Sequence, residues 1–398
     1  MIHVASIDNL NTQREIFKRA EVIFCAKRFL ELLPKEHKIK AKPLVPIDET
    51  IAYLKKNKNK ESLIITSGDP LFFGIGRRLL KEFPKKILAF YPGITTVQRV
   101  CAHFKLPWDD MKIISLHGRQ KDLKSEILST ILSKRGNFKI GIYTDSKNSP
   151  EDIANTLINL GFDKLRLLIA QDIGGKEEDF FELDIYEASK KHFHPLNFVI
   201  LLGSNKGPYT NFGIKDDLFA HQKGLITKKE IRVNILSELR LVESRGVLWD
   251  IGAGSGSVSI EAALLNPYLD IFAIEKDKNR CLDIEKNIKK FFTPNVQVIN
   301  KEAPQALFEL PRPDRIFIGG GLGSSNLIDI AFNLLKDKGL LVASTILIDS
   351  LNKMLSFAKK NRVQFEAIQI SSAKLRELGE SFIISPSPPI TIFTLWKK

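Results

Sequence analysis

Short apolar, β-rich runs that each give way to a helical pattern constrain this chain most. Strands separated by helices pair through crossovers, so the pattern builds a parallel sheet covered on both faces. The alternation occurs twice. In the first series ESLIITSGD (61–69) leads into IGRRLLKEF, KILAFYPG (86–93) into TTVQRVCAHF, and FKIGIYTD (138–145) into PEDIANTLINLGF. Further strands are predicted near 165–172 and 196–202. In the second series GVLWDIG, DIFAIEKD (270–277), VQVIN (296–300), DRIFIGG (314–320) and GLLVAST (339–345) alternate with helices through 265, through about 291 and near 324–336. Between the series GSNKGPYTNFGIKDDLFAHQ (203–222) has no sustained period and is rich in Gly, Asn, Pro and Asp. The expectation is one α/β domain over 1–203, a linker over 204–222 and a second α/β domain over 223–398. The second opens on ITKKEIRVNILSELRL (226–241), an amphipathic helix with Ile231, Ile235 and Leu239 on one stripe. It closes on FEAIQISSA and PPITIFTLWK, two β-rich runs with a loop between them, which predict an antiparallel hairpin on the parallel sheet.

Several function classes are disfavoured at once. No run approaches the roughly 18–20 apolar residues of a membrane span, and the start lacks the apolar core and cleavage site of a signal peptide. A soluble, cytoplasmic protein without a membrane partner is expected. Cys25, Cys101 and Cys281 lie far apart, with no CxxC and no grouping with His, so they read as buried thiols, and no metal is expected. The net charge of +14 is spread over the chain without a basic tail. Lysine runs such as KKNKNK (55–60) lack interleaved aromatics, which favours a solvated surface over nucleic-acid binding. The same surface suits a small polyanionic substrate.

DIGAGSGS (250–257) places Gly252, Gly254 and Gly256, with Ala253 and Ser255 between them, where a strand turns into a helix. Bare backbone there lets a ligand meet the unpaired N–H groups of a helix start. By itself such a loop admits a dinucleotide, a phosphate or an empty turn. Asp250 would repel a pyrophosphate, whereas it can pair with an ammonium or sulfonium ligand. Glu275 ends the next strand, at the separation where a carboxylate receives two ribose hydroxyls. Glu302 and Ala303 follow the strand after that, where a carboxylate can accept an adenine amino group. Positions 250, 275 and 302 are expected to line one crevice at the carboxyl edge of the sheet.

This pattern, with the terminal hairpin, resembles the S-adenosylmethionine-dependent methyltransferases with a Rossmann-like sheet. More narrowly, GLITKKEIR (224–232), DIGAGSGSVSIEAA, KEAPQAL and PRPDRIFIGGG resemble the subfamily that methylates C15 of a corrin precursor and decarboxylates the neighbouring acetate. The resemblance covers 223–398 and implies that Thr227 lies at the cofactor site. It also implies that Gly319, Gly320 and Gly321 lie beside the methyl group, where missing side chains let a large flat ring approach. IFIGGG stands where N-methylating enzymes carry an Asn/Asp-Pro-Pro-aromatic motif, which disfavours an RNA methyltransferase.

In the first half, SGDPLFFGIG (67–76), YPGITTVQ (91–98), LPWDDMKIISLHGR (106–119) and LRLLIAQDIGGKEE (165–178) resemble, in order and spacing, the tetrapyrrole (corrin and porphyrin) methylases. From the residues alone, Asp69 before Pro70 is a turn former, and Phe72 and Phe73 suit either a core or a ligand platform. The resemblance spans 1–203 and implies two α/β subdomains holding S-adenosylmethionine through Gly68, Asp69, Phe72, Phe73, Thr95 and Thr96. Arg119 is a candidate for the substrate's carboxylates. One departure stands out: the family opens with a strand and a GxGPG-like loop, but this chain opens IHVASIDNLNTQ and has no glycine before Gly68.

Together the two resemblances imply a bifunctional methyltransferase of cobalamin biosynthesis. It would act at C5 and C15 of a tetrapyrrole, decarboxylate the C12 acetate, and take one S-adenosylmethionine per domain. A homo-oligomer is expected by resemblance only. No catalytic residue is assigned, because the chain from 223 onward has no histidine and a single cysteine, which excludes Ser/His and Cys/His arrangements there. The alternatives are a chain whose first half is only a scaffold, and a binding protein with two vestigial clefts.

Overall fold

Strands form where β-branched and aromatic residues run together, in a computed structural model that describes residues 1–9, 11–116, 123–133, 136–205, 212–222, 224–241, 246–323 and 326–398. The chain divides into two compact units. One comprises Met1–Lys121, Lys139–Ile158 and Phe162–Gly203, and the other Asp122–Phe138, Asn159–Gly161 and Ser204–Lys398. The helix Leu123–Ser133 therefore counts with the second unit although the first series of strands encloses it in sequence.

The first unit holds two sheets. Strands β1 (Ile2–Ser6), β2 (Val22–Cys25), β3 (Ala41–Pro43), β4 (Ser62–Thr66) and β5 (Leu88–Tyr91) run in the order β3-β2-β4-β1-β5 with all pairs parallel. Val4, Phe24 and Ile64 pack on one face of this sheet, and Ala5, Ile23, Leu63 and Ile65 on the other. A strand covered on both faces reads as a continuous apolar run, as SLIIT does. The second sheet, of β6 (Lys112–Ser115), β7 (Gly136–Tyr143), β8 (Arg166–Gln171), β9 (Asp179–Asp184) and β10 (Asn197–Asn205), has the order β6-β7-β10-β8-β9. β8 runs antiparallel to both β10 and β9. The helix Thr96–His103 lays Val97, Val100 and Cys101 against Leu168, Phe198 and Ile200 of this sheet.

The second unit is built on seven strands: β11 (Gly246–Ile251), β12 (Leu269–Ile274), β13 (Val296–Ile299), β14 (Arg315–Ile318), β15 (Leu340–Thr345), β16 (Gln364–Ile370) and, beyond the short ribbon described below, β19 (Ile390–Trp396). Their order is β13-β12-β11-β14-β15-β19-β16, with β11 to β15 parallel and β19 antiparallel to both neighbours. The period-2 alternation of β11 sends Val247, Trp249 and Ile251 into one core and Leu248 into the other. Asp250 therefore shares the face of Leu248, toward the helix Ser257–Leu265. The helix Lys229–Glu238 is shorter than the expected 226–241, but Ile231, Ile235 and Leu239 are all buried. Where a loop was expected between the last two runs, the chain forms an antiparallel ribbon of β17 (Ala373–Leu378) and β18 (Ser381–Pro386). No helix among the described residues is long and apolar enough to cross a membrane.

Candidate functional site

The glycine loop of the second unit follows β11 and opens the helix Ser257–Leu265, with Gly256 as its N-cap in left-handed backbone. Gly252, Gly254 and Gly256 all have positive φ, at 73°, 59° and 70°. An L-residue there would be strained, and space is also tight. A Cβ on Gly252 would lie 2.8 Å from the Gly320 nitrogen, and one on Gly256 2.8 Å from Ile284 Cγ2. The loop therefore lies directly against the glycines after β14, where Gly319 N donates to Ile251 O at 2.9 Å and Gly321 is left-handed. Gly252 N and Ala253 N both donate to Ile274 O, at 2.9 and 3.1 Å.

Two carboxylates face this loop. Asp250 is fully buried; its Oδ2 accepts from Ser259 Oγ at 2.6 Å and Ser259 N at 3.2 Å, while Oδ1 has no partner among the described residues. Burial pushes its pKa up to about 6, against the Ser259 hydrogen bonds that lower it, with the Glu275 charge adding to the rise. Glu275 is also buried. It accepts from Gly254 N at 2.9 Å and Asp277 N at 3.0 Å. It is thus held in a fixed orientation with acceptor capacity to spare. Glu302 does not join them: its side chain is 64% exposed and paired with Lys276 at 2.9 Å, while Ala303 is half-buried beside it. A carboxylate beyond a strand end is free to swing outward to a solvated lysine, and nothing in the strand pattern distinguishes that from an inward turn.

Residues that the motif reading passed over hold this loop in place. Arg232 is completely buried, and its guanidinium donates to Glu261 Oε1 at 2.6 Å, Asp216 Oδ1 at 3.2 Å, Thr227 O at 2.5 Å and Ile214 O. Glu261 also accepts from Gly213 N and Ile214 N. One cation thus joins the segment at 214–216, the backbone of half-buried Thr227 and the helix that follows the glycine loop. Asn287 does the same on the other side, donating to Ser255 O and Ala220 O and accepting from Ala220 N. The signal for Arg232 was present: an arginine on the stripe side of an amphipathic helix needs buried acceptors. The Ser255 hydroxyl is buried without a partner among the described residues.

In the first unit the two motif segments meet through backbone. Gly68, at φ 67°, would place a Cβ 3.1 Å from Thr95 Cα, and Gly93 N donates to Gly68 O at 3.3 Å. Asp69 closes its own turn, accepting from Leu71 N at 2.8 Å. Thr95 caps the helix Thr96–His103, in a reciprocal box with Gln98. Phe72 is half-buried against the core, while Phe73 is exposed and left-handed at φ 55°. Both rings pack edge-on or tilted near Tyr143, at 6.4 and 5.7 Å. Burial pushes the pKa of Tyr143, which the sequence did not single out, up to about 12, against a smaller lowering influence of Thr96 and the Val97 backbone beside it. His117 and Arg119 lie outside the described residues, as does part of the expected linker.

After β1 this chain has a turn without glycine. β1 runs into a turn at Ile7–Asn9, and a Cβ on Gly93 would lie 2.2 Å from Ser6 Oγ. Asn9 Nδ2 donates to Tyr91 O and Pro92 O at 3.1 Å, and Asp8 pairs with Arg99 at 2.7 Å. The close approach is made with the glycine on the partner segment.

Comparison with known proteins finds one family on each part of the chain. Residues 13–189 match the family described as Tetrapyrrole (Corrin/Porphyrin) Methylases, and residues 217–397 match the Precorrin methyltransferase domain. A Precorrin-6Y C(5,15)-methyltransferase [decarboxylating] from Sinorhizobium sp is 29% identical over 390 residues, covering 97% of this chain and 92% of its own. A probable cobalt-precorrin-6B C(15)-methyltransferase (decarboxylating) from Pyrobaculum aerophilum is 36% identical over 193 residues, 48% of this chain and 98% of its own. The chain belongs to the precorrin-6Y C5,15-methyltransferase (decarboxylating) family. A crystal structure of a precorrin-6Y C5,15-methyltransferase from Geobacter metallireducens matches at 41% identity, covering 48% of this chain and 100% of that one, with a TM-score of 0.46. Precorrin-6Y C5,15-methyltransferases are S-adenosylmethionine-dependent enzymes of cobalamin biosynthesis, in which a tetrapyrrole methylase domain is fused to a precorrin methyltransferase domain. The second unit carries groups that such a cofactor can use: a buried carboxylate oxygen that has no partner among the described residues, and three left-handed glycines whose backbone no Cβ shields.

Proposed function

We propose that residues 1–203 methylate C5 of a precorrin-6B or cobalt-precorrin macrocycle. Residues 223–398, after a linker at 204–222, methylate C15 and release the C12 acetate as carbon dioxide. Each domain takes one S-adenosylmethionine. The observation that carries the reading is the pair Asp250 and Glu275, both buried beside a loop pressed against Gly320. In the second unit Asp250 faces the cation, Glu275 receives the ribose hydroxyls, and Thr227 closes the site from its Arg232-held backbone. In the first, Gly68 with Thr95 supplies the backbone approach, and Phe72, Phe73 and Tyr143 supply an aromatic wall near Thr96.

When bound, the cofactor supplies a methyl group on a sulfonium, an electrophile that the electron-rich meso carbon of the substrate attacks directly. The chain's own work is then to orient and dehydrate the two partners. No protein nucleophile is needed, which agrees with the absence of histidine from 223 onward and with Cys281, the one thiol there, being buried with its Sγ donating to Glu275 O. The glycines at 319–321 keep side chains out of the space beside the cradle. Decarboxylation leaves its electron pair in the conjugated macrocycle, and a proton replaces the lost carboxylate.

The deciding experiment supplies the full chain with precorrin-6B and S-adenosylmethionine and counts products by mass. Two methyl groups gained and one carbon dioxide lost are expected. One methyl gained together with carbon dioxide loss would leave the first unit as a scaffold.

A further inference from the structure

The carboxyl edge of the second unit's sheet continues past the cradle. The glycine loop follows β11, the glycines at 319–323 follow β14, and the next parallel strand, β15, ends at Thr345. Ile346, Leu347 and Ile348 come directly after it, 61%, 61% and 75% exposed. At the ordinary spacing between strands this lip lies two strands, about 10 Å, from β11. Three successive large aliphatic side chains in water are an arrangement that a folded surface ordinarily avoids unless something covers them.

The lip is held in place. Thr345 Oγ1 accepts from Leu347 N at 2.9 Å, and the helix Ile348–Lys360 begins at once. Lys353 on that helix donates to Gly323 O at 2.7 Å, tying the helix to the glycine segment. Gly319, Gly320 and Gly321, which carry no side chains, follow the strand between cradle and lip.

Building on the function proposed above, we infer that Ile346, Leu347 and Ile348 form the apolar platform that receives one face of the corrin macrocycle in the second unit. A carboxylated tetrapyrrole carries its charges on the rim and is apolar on its faces. An aliphatic shelf without charge, continuous with the methyl-donor cradle across a floor of glycine, suits the face and leaves the rim to water or to basic side chains. The ribbon of β17 and β18 is also apolar and exposed, with Leu375, Phe382 and Ile384 on one face, but nothing in the structure shows what covers it.

The test uses the full chain carrying Ile346→Asn, Leu347→Gln and Ile348→Asn together, substitutions on exposed positions that leave the core intact. Equilibrium titration with cobyrinic acid, a corrin with free carboxylates, is paired with carbon dioxide release, which reports on the second unit. Corrin affinity is expected to fall at least about tenfold, with a matching rise in KM for carbon dioxide release. kcat, S-adenosylmethionine affinity, melting temperature and mass by light scattering are expected to stay unchanged. Unaltered corrin affinity and KM would overturn the inference, as would a smaller mass, since the lip would then be an interface between copies of the chain. An unsubstituted chain that binds no corrin defeats the underlying functional reading, and the inference falls with it.

Discussion

The two glycine sites of this chain reach similar backbone geometry by different means. In the second unit the groups proposed to recognise the ligand are acidic and buried: Asp250 without exposure and Glu275 clamped by Gly254 and Asp277, with Arg232 and Asn287 locking the surrounding segments. In the first unit the polar groups of the motif are already spent locally, Asp69 on its turn and Thr95 on a helix cap, and what faces outward is aromatic. A sulfonium can be held by a carboxylate or against aromatic faces. The second site should therefore respond to changes of charge and the first to changes of shape.

The largest effect is expected from Arg232→Met. Losing one partner of a buried ion pair leaves Glu261 charged, buried and uncompensated, which destabilises by about 3–5 kcal/mol. Calorimetric melting should show the second unit's transition moved far down while the first unit's remains, with C5 methylation retained. Equal loss of both transitions would mean that the two sites are not independently supported.

Next comes Gly252→Val. The left-handed backbone costs about 1–2 kcal/mol for a non-glycine residue, and the new Cβ would lie 2.8 Å from the Gly320 nitrogen, which as backbone cannot swing aside. The variant should add a single methyl group and release no carbon dioxide. Its counterpart, Gly68→Val, meets Thr95 Cα at a looser 3.1 Å and should weaken the first site while leaving carbon dioxide release intact. Mass analysis of products from both variants separates the two outcomes.

Much of the fold was legible because parallel strands covered on both faces leave continuous apolar runs, and GVLWDI and SLIIT are such runs. β3, three residues at a sheet edge, and β9, where DFFELD mixes charge into the strand, were not predicted because neither carries that pattern; β1 and β2 were not predicted either, since these strands of five and four residues are short and flanked by charge. The ribbon at 373–386 escaped because an exposed two-stranded element has no buried face to impose alternation. At the site, Asp250 and Glu275 could be placed by counting from strand ends. The outward turn of Glu302 could not, since it depends on which neighbour a loop side chain finds, here Lys276. Arg232, Asn287 and Tyr143 are reached only through pairings across 29, 67 and 47 positions, which no local spacing reports.

Charge sensitivity of the second site can be read from pH. Because the Asp250 pKa is about 6 when folded and near 3.8 otherwise, the folded form holds the proton more tightly between those values. Its contribution to stability is fully present below pH 4 and is lost as pH rises to 6, on the order of 3 kcal/mol. A cationic ligand reverses the preference by favouring the ionised carboxylate. S-adenosylmethionine affinity at the second site should therefore be flat above pH 6 and fall by up to about tenfold per unit below it. Asp250→Asn keeps an acceptor for Ser259, and it should raise the melting temperature at pH 7 while removing the slope. A slope that survives the substitution would place the titrating group elsewhere.

The smallest effect is expected where the first site depends on a neutral hydroxyl. Tyr143→Phe keeps the ring against Phe72 and Phe73 and removes only the hydroxyl, which has Thr96 and the Val97 backbone beside it. Losing one buried polar partner of this kind costs about 0.5–1.5 kcal/mol net, so first-site affinity should fall about two- to tenfold. The contribution acts through Thr96, because it fixes the start of the helix on which that residue sits. Thr96→Val should therefore give a similar loss, and the double variant little more than either alone. Fully additive losses would mean that Tyr143 and Thr96 act on the ligand separately. Tyr143→Ala, which also removes the ring, should cost more than Tyr143→Phe if the aromatic wall dominates, and pH between 5 and 8 should change neither result, in contrast to the second site.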